Sequence, residues 1–220
     1  MSEAALVVIA KAPVPGRSKT RLSPPCSPAE AAALAGAALD DTLSAVARTP
    51  VERKLLALEG DLAGDAPAGI EVVPQRGHGL GDRLADALLA AGGPALVIAM
   101  DTPQVTPALL AGAVRRLSEP GVDAVLGPSR DGGYWAIGAR SPDPALFHGV
   151  PMSSSRTLQA QRRRLDQLGV RWVELPTLRD VDTMADARTV AAESSGTRFA
   201  RALAALGHSS PSTSPAAAIP

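Results

Sequence analysis

Residues 5–22 read ALVVIA-KAPVPGRSKTRL, and the junction inside this stretch decides the fold. Ala5–Ala10 is apolar at six successive positions, three of them β-branched. Unbroken apolarity, rather than alternation, marks a strand buried on both faces. Lys11–Leu22 then carries two prolines, a glycine and four cations, and cannot continue that strand. Ser27-Pro28-Ala29-Glu30 has the form of a capping box with proline at the first helical position. The Ala/Leu-rich helix it opens should run to about Ala47.

The same alternation continues outward. Strands are predicted at Val51–Leu58, Ile70–Val73, Ala95–Met100, Val122–Leu126, Tyr134–Ile137 and Val170–Leu175. The helices between them end near Ala91, Leu117 and Leu168. Thr106-Pro107 opens the second of these, and Ser154 or Ser155 caps the third. Thr183 caps a short helix, and a last helix covers Thr197–Leu206. Strands alternating with helices imply right-handed crossovers, hence an α/β chain with a mostly parallel sheet and helices on both faces. Ligands of such sheets bind at the carboxyl ends of the strands.

With 220 residues, 45% of them hydrophobic, one domain over 1–208 is expected; the Ser/Pro/Ala-rich segment 209–220 is expected to be a disordered tail. Lys plus Arg equals Asp plus Glu at 22 each, which argues against bulk electrostatic binding of nucleic acid or an anionic membrane. A single cysteine, Cys26, excludes an intramolecular disulfide and a thiolate-rich metal site. The longest apolar run, Pro94–Met100, is too short to span a bilayer, and no signal peptide is evident, so a cytoplasmic location is expected.

Five loops at strand ends are candidates for chemistry. Lys11–Leu22 places four cations and Gly16 after a buried strand, a composition suited to polyphosphate, although a solvated basic loop has the same composition. It is not a P-loop, because Gly16 and Lys19 are not adjacent and the upstream glycine is missing. Gly77, Gly79 and Gly81 fail the dinucleotide spacing, but the loop can bring backbone close to a flat ring, and Gln75 offers an amide to a base edge. Asp101 ends a central strand, where a carboxylate is costly unless a cation or donor meets it, and suits Mg²⁺. Asp131-Gly132-Gly133-Tyr134-Trp135 permits a turn against a ligand, with only one of the two aromatics able to face it. Asp180 and Asp182 share a face if their segment is extended, so either can supply a second metal ligand.

Taken in order, these loops resemble a known family. The carriers are Lys11…Pro15-Gly16…Lys19-Thr20-Arg21-Leu22, Gln75…Gly79-Leu80-Gly81…Arg83, Asp101-Thr102-Pro103, Gly127-Pro128…Asp131-Gly132-Gly133-Tyr134 and Asp180-Val181-Asp182-Thr183. From about Leu6 to Arg188 the chain looks like bacterial glycosyltransferase-like members of the GT-A nucleotide-diphospho-sugar transferase superfamily. Its opening is similar to that of phospholactate guanylyltransferases, and its layout to that of molybdenum-cofactor guanylyltransferases and sugar-nucleotide pyrophosphorylases.

The resemblance implies a GT-A fold, a three-layer α/β/α sandwich with a seven-stranded mixed sheet. It implies nucleotide binding by Lys11, Ala12, Pro15, Gly16, Arg17, Lys19, Gln75, Gly79, Leu80, Gly81 and Arg83. Lys19 and Arg21 become cationic clamps. Asp101 and Asp182 become ligands of Mg²⁺ or Mn²⁺. Gly132, Gly133, Tyr134, Met152 and Ser153 fall to the acceptor, with Asp131 a candidate base. The chain departs from the pattern at Ala99-Met100, where a small residue and Ser usually precede the Asp, and at Met152, which replaces an aromatic.

The expected partners are therefore a nucleotide or nucleotide-sugar and a small-molecule acceptor. Nucleotidyl transfer to a small phosphorylated acceptor is the leading expectation, because the first loop is basic. Glycosyl transfer from a nucleotide-sugar is the alternative, and a non-catalytic nucleotide-binding module is a third.

Overall fold

The computed structural model describes residues 4–62 and 64–207. The proposed tail lies outside the described residues. Seven strands form one sheet: β1 (Ala5–Lys11), β2 (Lys54–Glu59), β3 (Glu71–Pro74), β4 (Ala95–Ala99), β5 (Ala124–Pro128), β6 (Tyr134–Ala139) and β7 (Trp172–Glu174). Their spatial order is β3-β2-β1-β4-β6-β5-β7. All neighbours are parallel except β6, which runs antiparallel to both β4 and β5. The expected three-layer, mostly parallel mixed sheet is the one observed.

Alternating side chains of the buried strands feed two cores, which is why those strands read as continuously apolar. Leu6, Val8, Leu56, Leu96, Ile98 and Val125 pack with α1 (Pro28–Arg48) and α3 (Pro107–Ser118) on one face. Val7, Ile9, Leu55, Val97, Leu126 and Ile137 pack with α2 (Leu80–Ala90) and α4 (Thr157–Gln167) on the other. A third cluster joins the outer side of α1 to α5 (Met184–Glu193) and α6 (Arg198–Gly207) through Leu34, Ala38, Val181, Ala187 and Phe199. Among the described residues no helix is long and apolar enough to cross a membrane.

The capping residues act as the sequence implies. Ser27 accepts from the Glu30 amide while the Glu30 carboxylate accepts from the Ser27 amide. Thr106 and Thr183 cap α3 and α5 through their hydroxyls. Caps of this kind contribute about 1 kcal/mol each. The start of α4 differs from expectation: Arg156 holds the cap position without a side-chain bond, and neither Ser154 nor Ser155 caps it. Thr157 is turned inward, donating to the Pro151 carbonyl at 2.7 Å and accepting from the Ser154 amide at 3.1 Å, and this draws the serines into the preceding turn. β2 also starts three residues later than Val51, at Lys54, where its parallel pairing with Leu6 begins.

Between β1 and β4 the chain order reverses direction across the sheet, and the parallel strands leave a crevice at their carboxyl edge. Because β6 runs the opposite way, its first residue, Tyr134, emerges at that same edge.

Candidate active site

A cavity of about 670 Å³ occupies this edge, within the size range of small-molecule sites. Lys11, Arg17, Lys19 and Arg21 reach it from the β1 loop, and Gln75, Gly79, Leu80 and Arg83 from the β3–α2 connection. Asp101 stands at the centre, after β4. Asp131, Gly133, Tyr134, Met152, Ser153 and Asp182 close the far side. Ala12, Pro15, Gly16, Gly81 and Gly132 do not line it. Ala12 is buried, and Gly81 lies against Phe147 and Met152 on the side of α2. Gly132 has φ +89° and is packed against the Ser155 backbone, so its part is to let the hairpin turn under the α4 loop.

Lys19 organises the centre. It adopts left-handed backbone geometry (φ 49°), stabilised on its C-terminal side by the 3₁₀ turn Thr20–Leu22, whose Leu22 is fully buried. That geometry sends the side chain inward, where its ammonium lies 2.8 Å from Asp101 Oδ1 and 3.6 Å from Asp182 Oδ1, and donates to the Val181 carbonyl. Burial pulls the Lys19 pKa down most strongly, but Asp101, Asp182 and Asp180 together outweigh it and hold the ammonium above its ordinary value. The second non-glycine with positive φ among the described residues, Ser153 (φ 56°), lines the same cavity. Backbone strain of this sort costs about 1–3 kcal/mol and concentrates at ligand sites.

The carboxylates are fixed from behind. The Val181 amide bonds the Asp101 carbonyl at 3.0 Å, and the Val181 side chain is buried in the third core, so Asp180 and Asp182 are held on either side of an anchor. Asp182 also accepts from Arg21 at 3.1 Å. Asp180 accepts from the Ser129 hydroxyl at 2.5 Å, and its burial, reinforced by Asp131 and Asp101, pushes its carboxyl up to about 7. Of the two, Asp182 and not Asp180 lies within ion-pair distance of the Lys19 ammonium that Asp101 also holds.

Two carboxylates and a backbone carbonyl thus converge on the point that the Lys19 ammonium holds. This hard-oxygen set fits Mg²⁺ or Mn²⁺, which bind through one or two protein carboxylates with substrate phosphates completing the sphere. Among the described residues no three His, Cys, Asp or Glu side chains form a metal-holding group. A divalent ion here would draw further oxygens from its ligand.

Gln75 donates to the Ala10 carbonyl at 2.5 Å and the Ala57 carbonyl at 3.0 Å, so its NH₂ ties β1 to β2 and only its carbonyl oxygen is available to a ring. Glu59, which sequence reading missed, accepts from Lys11 at 3.2 Å and from Arg83. The Lys11 hydrogen bond, against the opposing effect of burial and aided by Arg83, holds the Glu59 carboxyl below its ordinary value. Arg17 is the lining cation that makes no side-chain hydrogen bond or ion pair among the described residues. Asp131 accepts from the Gly133 amide at 2.8 Å and so shapes its own turn. Of the two adjacent aromatics, Tyr134 faces the cavity. Trp135 is buried, donating to the Pro176 carbonyl at 2.9 Å, with its indole over Gly127.

The sheet order and the cavity at its carboxyl edge define a protein of the nucleotide-diphospho-sugar transferase and nucleotidyltransferase fold class. The chain belongs to the family described as "Uncharacterized protein conserved in bacteria (DUF2064)", whose profile matches residues 42–154. It is similar in structure to a "putative nucleotide-diphospho-sugar transferase" from Desulfovibrio desulfuricans G20, with 25% identity, TM-score 0.83 and coverage of 94% of this chain and 96% of that one. It also resembles a cytidylyltransferase from Leptospira borgpetersenii (14% identity, TM-score 0.59, coverage 94% and 95%). A CMP:2-keto-3-deoxy-manno-octonic acid synthetase complexed with CTP is comparably similar (14%, 0.58, 88% and 99%). At 14% identity the last two show the fold alone. No curated protein matches the chain significantly.

Proposed function

We propose that this chain is a metal-assisted transferase acting on an NTP or a nucleotide-diphospho-sugar, with nucleotidyl transfer the favoured reaction. The observation that carries this reading is the Lys19 constellation: one ammonium between two carboxylates, beside Arg17 and Arg21, at the carboxyl end of the central strands. Asp101 and Asp182 would hold Mg²⁺ or Mn²⁺, which when bound supplies charge neutralisation on phosphate oxygens. Lys19 then turns from the carboxylates to the phosphates. With Arg17 and Arg21 it stabilises the charge that gathers on the leaving pyrophosphate. The acceptor oxygen forms its bond to the α-phosphorus as the bond to the bridging oxygen breaks. A hydroxyl acceptor would pass its proton to Asp131.

Glycosyl transfer is the second reading, favoured by the name of the Desulfovibrio relative and by the Asp131 carboxylate on the side of the cavity away from the cations. Binding constants for NTP, NDP and NDP-sugar at fixed Mg²⁺, in the wild type and Lys19→Ala, separate the two. Charge-assisted bonds to a third phosphate are worth about 1.5–3 kcal/mol, roughly tenfold or more in affinity. Nucleotidyl transfer requires an NTP preference that Lys19→Ala erases while NDP affinity persists. Equal or tighter binding of NDP-sugar, with the variant weakening all ligands alike, would replace it with the glycosyl reading.

A further inference from the structure

The charges lining the cavity are sorted along the sheet. On the β3-β2-β1 side stand Lys11, Arg17, Lys19, Arg21 and Arg83, every cation of the lining. Asp182 lies with these cations, paired to Lys19 and Arg21, and Asp180 is close enough to act on Lys19; beyond them, at the β5–β6 turn and the loop before α4, the lining carries Asp131 and no Lys or Arg. Arg130 and Arg156 flank this end in sequence, but both are exposed and neither lines the cavity. The remaining groups here are the hydroxyls of Ser153, Ser154 and Thr157, the Tyr134 phenol and the Met152 thioether. Burial pushes the phenol well above its ordinary value, so it stays neutral.

From this polarity, and resting on the transferase reading above, we infer that the acceptor is an uncharged or cationic hydroxyl compound, such as a sugar, polyol or aminosugar, and not a phosphorylated one. A phosphate dianion at this end would stand beside Asp131 with no lining cation to meet it. Like charges held together without a counter-ion are rejected, and a site built this way discriminates by repulsion as much as by attraction. The Ser153 and Ser154 hydroxyls and a neutral phenol instead offer donors and acceptors to sugar hydroxyls. The Asp131 carboxylate can accept the proton of an attacking hydroxyl or meet an ammonium.

Met152 lines the acceptor end beside Tyr134, Met100 lines the cavity beside Lys11 on the cation side, and the chain has four methionines in all. Their methyl resonances in [methyl-¹³C]Met protein report the two ends separately, each assigned by a Met→Leu variant. With Mg²⁺ and a non-hydrolysable NTP analogue present, glucosamine, glucose and glucose 6-phosphate are titrated as a set sharing one ring. The Met152 methyl is expected to respond to glucosamine or glucose at a concentration at least tenfold below that required of glucose 6-phosphate. Introducing a cation with Ser153→Arg is expected to narrow or invert that ratio. A Met152 response to glucose 6-phosphate at an equal or lower concentration in the wild type overturns the inference, as does silence of Met152 towards all three. A Met100 methyl that ignores every NTP and nucleotide-sugar would instead overturn the transferase reading itself.

Discussion

Replacing Lys19 with methionine keeps the length of the buried stem and removes the one charge that Asp101 and Asp182 share. At 2.8 and 3.6 Å, with an effective dielectric constant of about 20, the two attractions are worth about 6 and 5 kcal/mol before desolvation is set against them. Stranding charge by removing one partner of a buried pair costs about 3–5 kcal/mol. Both carboxylates keep about a third of their exposure, 34% and 33%, so water recovers part of the loss. The expected cost is about 2–3 kcal/mol, which for a domain of this size lowers Tm by roughly 5–10 °C. Thermal unfolding is followed in EDTA and in millimolar Mg²⁺. In EDTA the variant should melt well below the wild type. Mg²⁺ should stabilise the variant more than the wild type, because the ion no longer competes with an ammonium for its oxygens. Equal Tm values in EDTA, or equal stabilisation by Mg²⁺, would refute the idea that Lys19 holds the metal position.

Three further outcomes are expected. Asp180 has its folded pKa raised to about 7, so the stability it contributes is fully present below the ordinary carboxylate pKa and is lost as pH rises towards and through 7. Asp180→Asn keeps an oxygen for Ser129 and should raise Tm at pH 8 but not at pH 4; a gain of equal size at both would show that Asp180 does not titrate in this window. Asp101→Asn should leave the fold intact by circular dichroism while the Mg²⁺-dependent part of nucleotide affinity, measured by calorimetry, falls at least tenfold. At Gly132→Ala the new methyl meets the Ser155 carbonyl at a φ of +89°, so about 2 kcal/mol or more of stability should go, seen in urea unfolding, with the Met152 methyl resonance displaced; an unchanged Met152 signal would uncouple the hairpin from the acceptor loop.

The layers and the sheet's parallel character were legible because buried strands announce themselves by unbroken apolarity, as in Ala5–Ala10, and helices by caps such as Ser27 and Thr183. Strand ends were less so. Lys11 ends β1 by pairing with Glu59, and Val51 is buried without belonging to β2, so hydrophobicity alone misplaces both boundaries. The site loops were found because their residue types are costly at strand ends. Their division of labour was not, because it depends on contacts across long sequence separations. Ser129 decides that Asp180 faces a hydroxyl rather than Lys19, and Glu59 draws Lys11 and Arg83 towards itself. Met100, absent from the site assignments, lines the cavity and its sulfur accepts from the Lys11 amide at 3.4 Å. Gln75 lines the cavity, but its amide NH₂ is taken by the Ala10 and Ala57 carbonyls, a use that no local pattern encodes.

The most direct measurement is a calorimetric titration of each of the four common NTPs into the wild type and Asp101→Asn, with and without Mg²⁺. The expected result is saturable binding of at least one NTP that Mg²⁺ strengthens in the wild type and not in Asp101→Asn. If no NTP binds, or if the Mg²⁺ dependence survives in Asp101→Asn, the cavity is not the metal-assisted nucleotide site described here.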